Sequence, residues 1–155
     1  LSEGLVLVLG WGSPSRLILD SIPIPRDSLI ISISASSRSS SRLLESREKL
    51  NVIEEVGDRK LEEILRHPTP ENFLQKSKEF AVEAGLATED VQEIFEELER
   101  LPVIGYAQNM IGRACHALTL RRCADEVAAR LRSVFPEYRV GVHEIGNEIR
   151  VSGLV

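Results

Sequence analysis

Residues 104–119 read Ile-Gly-Tyr-Ala-Gln-Asn-Met-Ile-Gly-Arg-Ala-Cys-His-Ala-Leu-Thr. Two short apolar runs flank a polar turn closed by Gly112, which predicts a hairpin over 103–119. Glycine carries no Cβ, so the main-chain N–H groups of a turn that ends on one can approach a ligand closely. Immediately after it, Leu120, Cys123, Ala124, Val127, Ala128, Leu131 and Val134 recur at helical spacing until Pro136 stops the run. Strand, turn, strand, helix is therefore the centre of the chain.

Downstream, Tyr138, Val140 and Val142 alternate over 138–145, the period of a strand, and Gly146-Asn147 is a tight-turn dipeptide before a further strand over 148–151. Upstream, Thr69-Pro70-Glu71 is a helix start, with cap, proline in the first turn and acid at the positive end; Gly85 closes that helix. Thr88-Glu89-Asp90 opens another, with Val91, Ile94, Phe95, Leu98 and Leu101 on one face and Pro102 after it. Its acids Glu93, Glu96, Glu97 and Glu99 read as a solvated face. Before these, Asn51 and Glu54 suggest a capped helix whose apolar side is Val52, Ile53, Val56, Leu61, Ile64 and Leu65, with Gly57 as a break.

Leu29, Ile30, Ile31 and Ile33 make 28–34 a strand, and 35–41 holds five serines, a loop leading into a helix. Leu5–Leu9 and the run 17–19 are short strand signals, separated by the turn 10–14 and closed by Pro23 and Pro25. The progression over 28–145 is β-α-β-β-α-β, which predicts an α+β fold: an antiparallel sheet with helices packed on one face, in a ferredoxin-like split βαβ arrangement.

The chain has 155 residues, 43% of them apolar and 28% charged, with a net charge of −5 and seven aromatics. That is one main globular domain. Acidity and scarce aromatics argue against nucleic acid as a partner, and no apolar run is long enough to span a bilayer. Without a signal-peptide pattern, the cytoplasm is the simplest location. Two cysteines, Cys115 and Cys123, make no disulfide framework and read as packed thiols, both on buried faces. His67, His116 and His143 lack metal-ligand spacing.

The residues also resemble a family. Gly4-Leu5-Val6-Leu7, Ile22-Pro23, Leu61-Glu62-Glu63-Ile64-Leu65, Pro68-Thr69-Pro70-Glu71-Asn72-Phe73, Ser77-Lys78-Glu79-Phe80-Ala81, Glu83-Ala84-Gly85-Leu86 and the turn Gln108-Asn109-Met110-Ile111-Gly112 are together similar to the second half of the GHMP kinase superfamily, most of all to the archaeal pantoate kinases. The resemblance implies a ferredoxin-like GHMP kinase C-terminal domain over 28–155, with 1–27 supplying strands that complete the sheet of a missing N-terminal kinase domain. It also implies transfer of the ATP γ-phosphoryl to pantoate, giving 4-phosphopantoate for coenzyme A synthesis. Positioning and charge neutralisation dominate such chemistry. ATP and Mg would be bound mainly by the N-terminal part, whose glycine-rich phosphate loop has no counterpart here. This chain is then not expected to turn over alone, and it names no catalytic residue. Its partners would be a pantoate-like acceptor, the N-terminal kinase domain and a second copy in a homodimer.

The acceptor-side candidates are Ser40, Ser41 and Arg42, where hydroxyls and a forked cation at a helix start suit an anion, and Gln108, Asn109 and Gly112 of the turn. The plainer readings stay beside these: a helix-capping serine loop and a hairpin closure. Arg113 lies within reach of a phosphate or is simply solvated, and His116 is packed in a strand rather than an acid–base group. A ferredoxin-like sheet also serves non-catalytic ligand-binding or dimerisation modules, the alternative to a kinase lobe.

Overall fold

The computed structural model describes residues 5–8, 18–35, 47–109 and 112–146. Its elements run β1 (Leu5–Val8), β2 (Ile18–Ile22), β3 (Ser28–Ser34), α1 (Arg47–Arg66), α2 (Pro70–Glu83), α3 (Glu89–Leu98), β4 (Gly105–Gln108), β5 (Ala114–Leu120), α4 (Arg121–Val134) and β6 (Arg139–Glu144). β1 and β2 form an antiparallel pair of their own; the other four strands form one sheet in the order β4-β5-β3-β6, every pair antiparallel. The path from β3 through three helices to β4 straddles β5, and β5-α4-β6 straddles β3. These two interlocked crossovers are the split βαβ arrangement of a ferredoxin-like α+β fold.

Alternation along the strands decides what lies on each face. Leu29, Ile31 and Ile33 of β3, with Cys115, Ala117 and Tyr106, point to one side. There they meet Val91, Ile94, Phe95 and Leu98 of α3 and Ala124, Val127, Ala128 and Leu131 of α4, which is the main core. The opposite side holds a smaller cluster in which Leu74 of α2 meets Ile24, Ala107 and Leu118. Ile22, fully buried, packs with Ile64, Leu61 and Phe73, so the end of β2 is pinned to α1 and α2.

The seat of α2 on β4 depends on one missing side chain. A Cβ on Gly105 would lie 2.7 Å from the Leu74 Cβ, an atom fixed by its own backbone. Gly105→Ala is therefore expected to destabilise the chain by about 1–3 kcal/mol through overpacking, read as a lower urea midpoint at unchanged slope. A midpoint equal to wild type would show that α2 does not sit where described.

Several expectations meet their structural test here. Thr69 caps α2 as expected, accepting from the Asn72 N–H, and Gly85 leaves the helix at φ +67°. Thr88 precedes α3, but its hydroxyl makes no capping bond. Asn51 is not a cap: Arg47–Leu50, strong helix formers, already lie within α1. Nor does Gly57 break α1, which runs through it with the Phe80 ring 3.5 Å from where a Cβ would be. The inner stripe of α1 is Val56, Lys60 and Ile64, while Val52 and Leu65 are exposed, contrary to their place in the expected apolar side. Glu97 is not on a solvated face either; it is buried and ion-paired to Arg130 and Arg100. Cys115 is fully buried, its thiol pushed up to about 12 by burial, but Cys123 is only half-buried. The strand expected over 148–151 lies outside the described residues.

Candidate functional site

The end of the sheet at which β3 and β4 finish and β5 and β6 begin gathers the candidate turn. Asn109 donates its N–H to the Ala114 carbonyl (2.8 Å), closing the hairpin. Gly112 takes φ +144°, a conformation side chains rarely adopt, and among the described residues nothing lies within 4 Å of where its Cβ would be. Gln108 serves a different purpose. Its side chain is buried and its Nε2 donates to the carbonyls of Gly112 (2.7 Å) and Leu86 (3.1 Å), tying the turn to the segment between α2 and α3. Arg113 is ion-paired to Asp90 at the start of α3.

Beside the turn, the sheet face away from α3 and α4 is polar. Register sets Ala107, His116, Ser32 and Gly141 in one row across the four strands. Asn109 Oδ1 bonds to His116 Nδ1; an amide oxygen only accepts, so that nitrogen carries the proton and Nε2 keeps its lone pair. Burial lowers the pKa of His116, favouring the neutral imidazole. Ser32 Oγ and His143 Nε2 share a hydrogen bond of 2.7 Å. Gly141 makes room for that pair, since a Cβ there would lie 2.6 Å from His143 Nε2 and 2.9 Å from Ser32 Oγ. Arg139, exposed, stands opposite Ser34 in the next row.

Of the residues singled out from the sequence, Gln108, Asn109 and Gly112 lie together. Ser40, Ser41 and Arg42 are outside the described residues. Ala35 donates its N–H to the Arg113 carbonyl at 3.0 Å. Ser32, His143 and Arg139 were not singled out as site residues; only the register between distant strands brings them to this face.

A second cluster lies between α1 and α2. Lys60, almost buried, places its ammonium 2.6 Å from Glu79 and 2.7 Å from Glu83, and Lys76 lies 2.8 Å from Glu63 and 2.9 Å from Glu79. Burial alone would push the Glu79 carboxyl up, but hydrogen bonds from Lys60, Lys76 and Gln75 outweigh it and hold it at about 2. A cavity of about 280 Å³ opens beside these lysines. Among the described residues no group of three or more His, Cys, Asp or Glu could hold a metal ion, so the residues described here do not fit a Mg site. No helix among them is long and apolar enough to cross a membrane.

A structure titled as a phosphotransferase related to the CoA biosynthesis pathway superposes on 99% of this chain and 50% of its own, with a TM-score of 0.76 and 24% identity. The fold is that of the C-terminal half of the GHMP kinases. Homoserine kinase from Cytophaga hutchinsonii matches 93% of the chain and 49% of its own length (TM-score 0.59, 11% identity). Mevalonate kinase from Methanococcus jannaschii matches 77% and 40% (TM-score 0.56, 14% identity). By sequence, pantoate kinase from Methanocaldococcus jannaschii is 35% identical over 81 residues, which are 52% of this chain and 29% of the relative. No family model matches the chain. The chain spans about half the length of the first two of these structures.

Proposed function

We propose that this chain is the acceptor-side lobe of an ATP-dependent small-molecule kinase whose acceptor is pantoate, converted to 4-phosphopantoate for coenzyme A synthesis. The sequence identity with pantoate kinase over 81 residues is the observation that carries the reading. ATP and Mg belong to an N-terminal lobe, to which the pair β1-β2 contributes strands, and residues 28–155 form the lobe described above. The assembled enzyme works in the cytoplasm.

What the lobe's own residues do follows from their geometry. The acceptor approaches the turn at Gly112, and Asn109 holds His116 with its Nε2 lone pair free to accept a proton or hydrogen bond. Ser40, Ser41 and Arg42 receive the acceptor's carboxylate. Gln108 holds the turn in place from behind. Phosphoryl transfer needs such positioning more than covalent help from the protein.

A coupled ATP-consumption assay tests the reading. The complete gene product is expected to consume ATP with pantoate, and not with homoserine or mevalonate, whereas residues 1–155 alone give no turnover. Robust turnover by these 155 residues alone would contradict the lobe reading. Preference for homoserine or mevalonate would contradict the acceptor.

A further inference from the structure

Ser32 and His116 stand directly opposite each other on β3 and β5, so their Cβ atoms are about 4.5–5.5 Å apart and both side chains rise from the same face. Ala107 and Gly141 flank them in the row, so the pair is its polar centre. Each member is held from outside the row. Asn109 takes the Nδ1 proton of His116, which leaves Nε2 as an acceptor. The His143 imidazole lies where a Cβ of residue 141 would stand, and its Nε2 shares a hydrogen bond with Ser32 Oγ.

Charge on this face is one-sided. Alternation sets Arg139 and His143 on it beside Ser32, Ser34 and His116. The single acid of the four strands, Glu144, is opposite Leu29 on the core side, where Arg121 holds it by two hydrogen bonds of 2.7 Å. A ligand group between Ser32 and His116 therefore meets a hydroxyl and an imidazole acceptor, and no negative charge from these strands. A hydroxyl suits that pair, since it donates to Nε2 and exchanges a second hydrogen bond with Ser32. An ammonium would lose water there beside Arg139 and His143 with no carboxylate of the sheet to balance it.

We infer that Ser32 and His116 select the acceptor by the hydroxyl that pantoate carries next to its carboxylate, so that the enzyme takes a hydroxy acid and rejects the corresponding amino acid. His143 is a positioning residue for the Ser32 hydroxyl, as Asn109 is for His116. The inference rests on the proposed function and on the acceptor lying at the Gly112 turn.

The test gives the complete gene product three acceptors: pantoate, its analogue with hydrogen in place of that hydroxyl, and its analogue with an amino group there. Wild type should favour pantoate over either by about tenfold or more in kcat/KM, because each analogue leaves the pair unmatched. Ser32→Ala is a small change at a half-buried position. It should lower kcat/KM for pantoate by about fivefold or more and leave the hydrogen analogue within about twofold of wild type. His116→Leu should do the same, and His143→Ala should reduce the preference part of the way. A merely structural role would lower both acceptors together. That outcome for Ser32→Ala, or a wild type indifferent to the substituent, would overturn the inference while leaving the kinase reading intact. An unchanged preference in His143→Ala would overturn its positioning role. Failure of wild type to phosphorylate pantoate would bring down the kinase reading and the inference with it.

Discussion

Ile31→Ala is expected to lower the unfolding free energy by about 3 kcal/mol, whereas Ile30→Ala, one residue away, costs about 1 kcal/mol. Ile31 is fully buried on the central strand β3, between β5 and β6, and packs into the cluster formed by α3 and α4. Truncation there leaves a cavity that α3 and α4, held by their own apolar faces, cannot close. Ile30 points the other way, partly exposed beside Leu118 and Ile24, so less apolar surface is lost on truncation. Urea unfolding of both variants at unchanged slope measures the contrast. Reversed costs would mean that the strand is one residue out of register, which would also move Ser32 off the face it shares with His143 and His116.

That contrast shows where the sequence was legible. Leu29, Ile31 and Ile33 announce a strand, and the run from Cys123 to Leu131 a helix, because burial against one partner imposes a period. Thr69-Pro70 and Gly85 were readable because capping and positive φ are local demands. Gly112 was readable as the close of a turn for the same reason.

What was illegible depends on contacts between elements. Lys60 sits on the inner stripe of α1 in a position that looks apolar only by spacing, and nothing local says that glutamates of α2 will meet it. Glu97 looks like its solvated neighbours until Arg130 of α4 reaches it. Ser32 and His143 lie 111 residues apart and become partners only through the β3–β6 pairing. The glycine at 141 is the sole local hint, and its reason appears only once the imidazole is in place. The same long-range origin explains why Gln108, polar and beside a glycine turn, reads as a ligand contact although its amide nitrogen is spent on Leu86 and Gly112.

Lys60→Met is the second large effect. Methionine keeps the length and packing of the side chain but removes the ammonium that joins Glu79 to Glu83. Deleting one partner of a fully buried pair costs about 3–5 kcal/mol; here both carboxylates keep some water, and Lys76 and Arg59 remain beside them, so about 2 kcal/mol is expected. The same network makes stability acid-sensitive. Glu79 titrates at about 2 in the folded chain against 4.5 for the ordinary carboxyl, so between those values the unfolded state binds the extra proton. Its contribution is complete above about pH 4.5 and declines as pH falls toward 2. Urea midpoints across that window should fall for wild type and fall less for Glu79→Gln, which has no charge to lose. If Lys60→Met unfolds at the wild-type midpoint at neutral pH, the ammonium contributes nothing to joining α1 and α2. The pair would then be held by its apolar contacts, Leu61 and Ile64 with Phe73, and by the remaining Arg59–Glu83 and Lys76–Glu63 pairs.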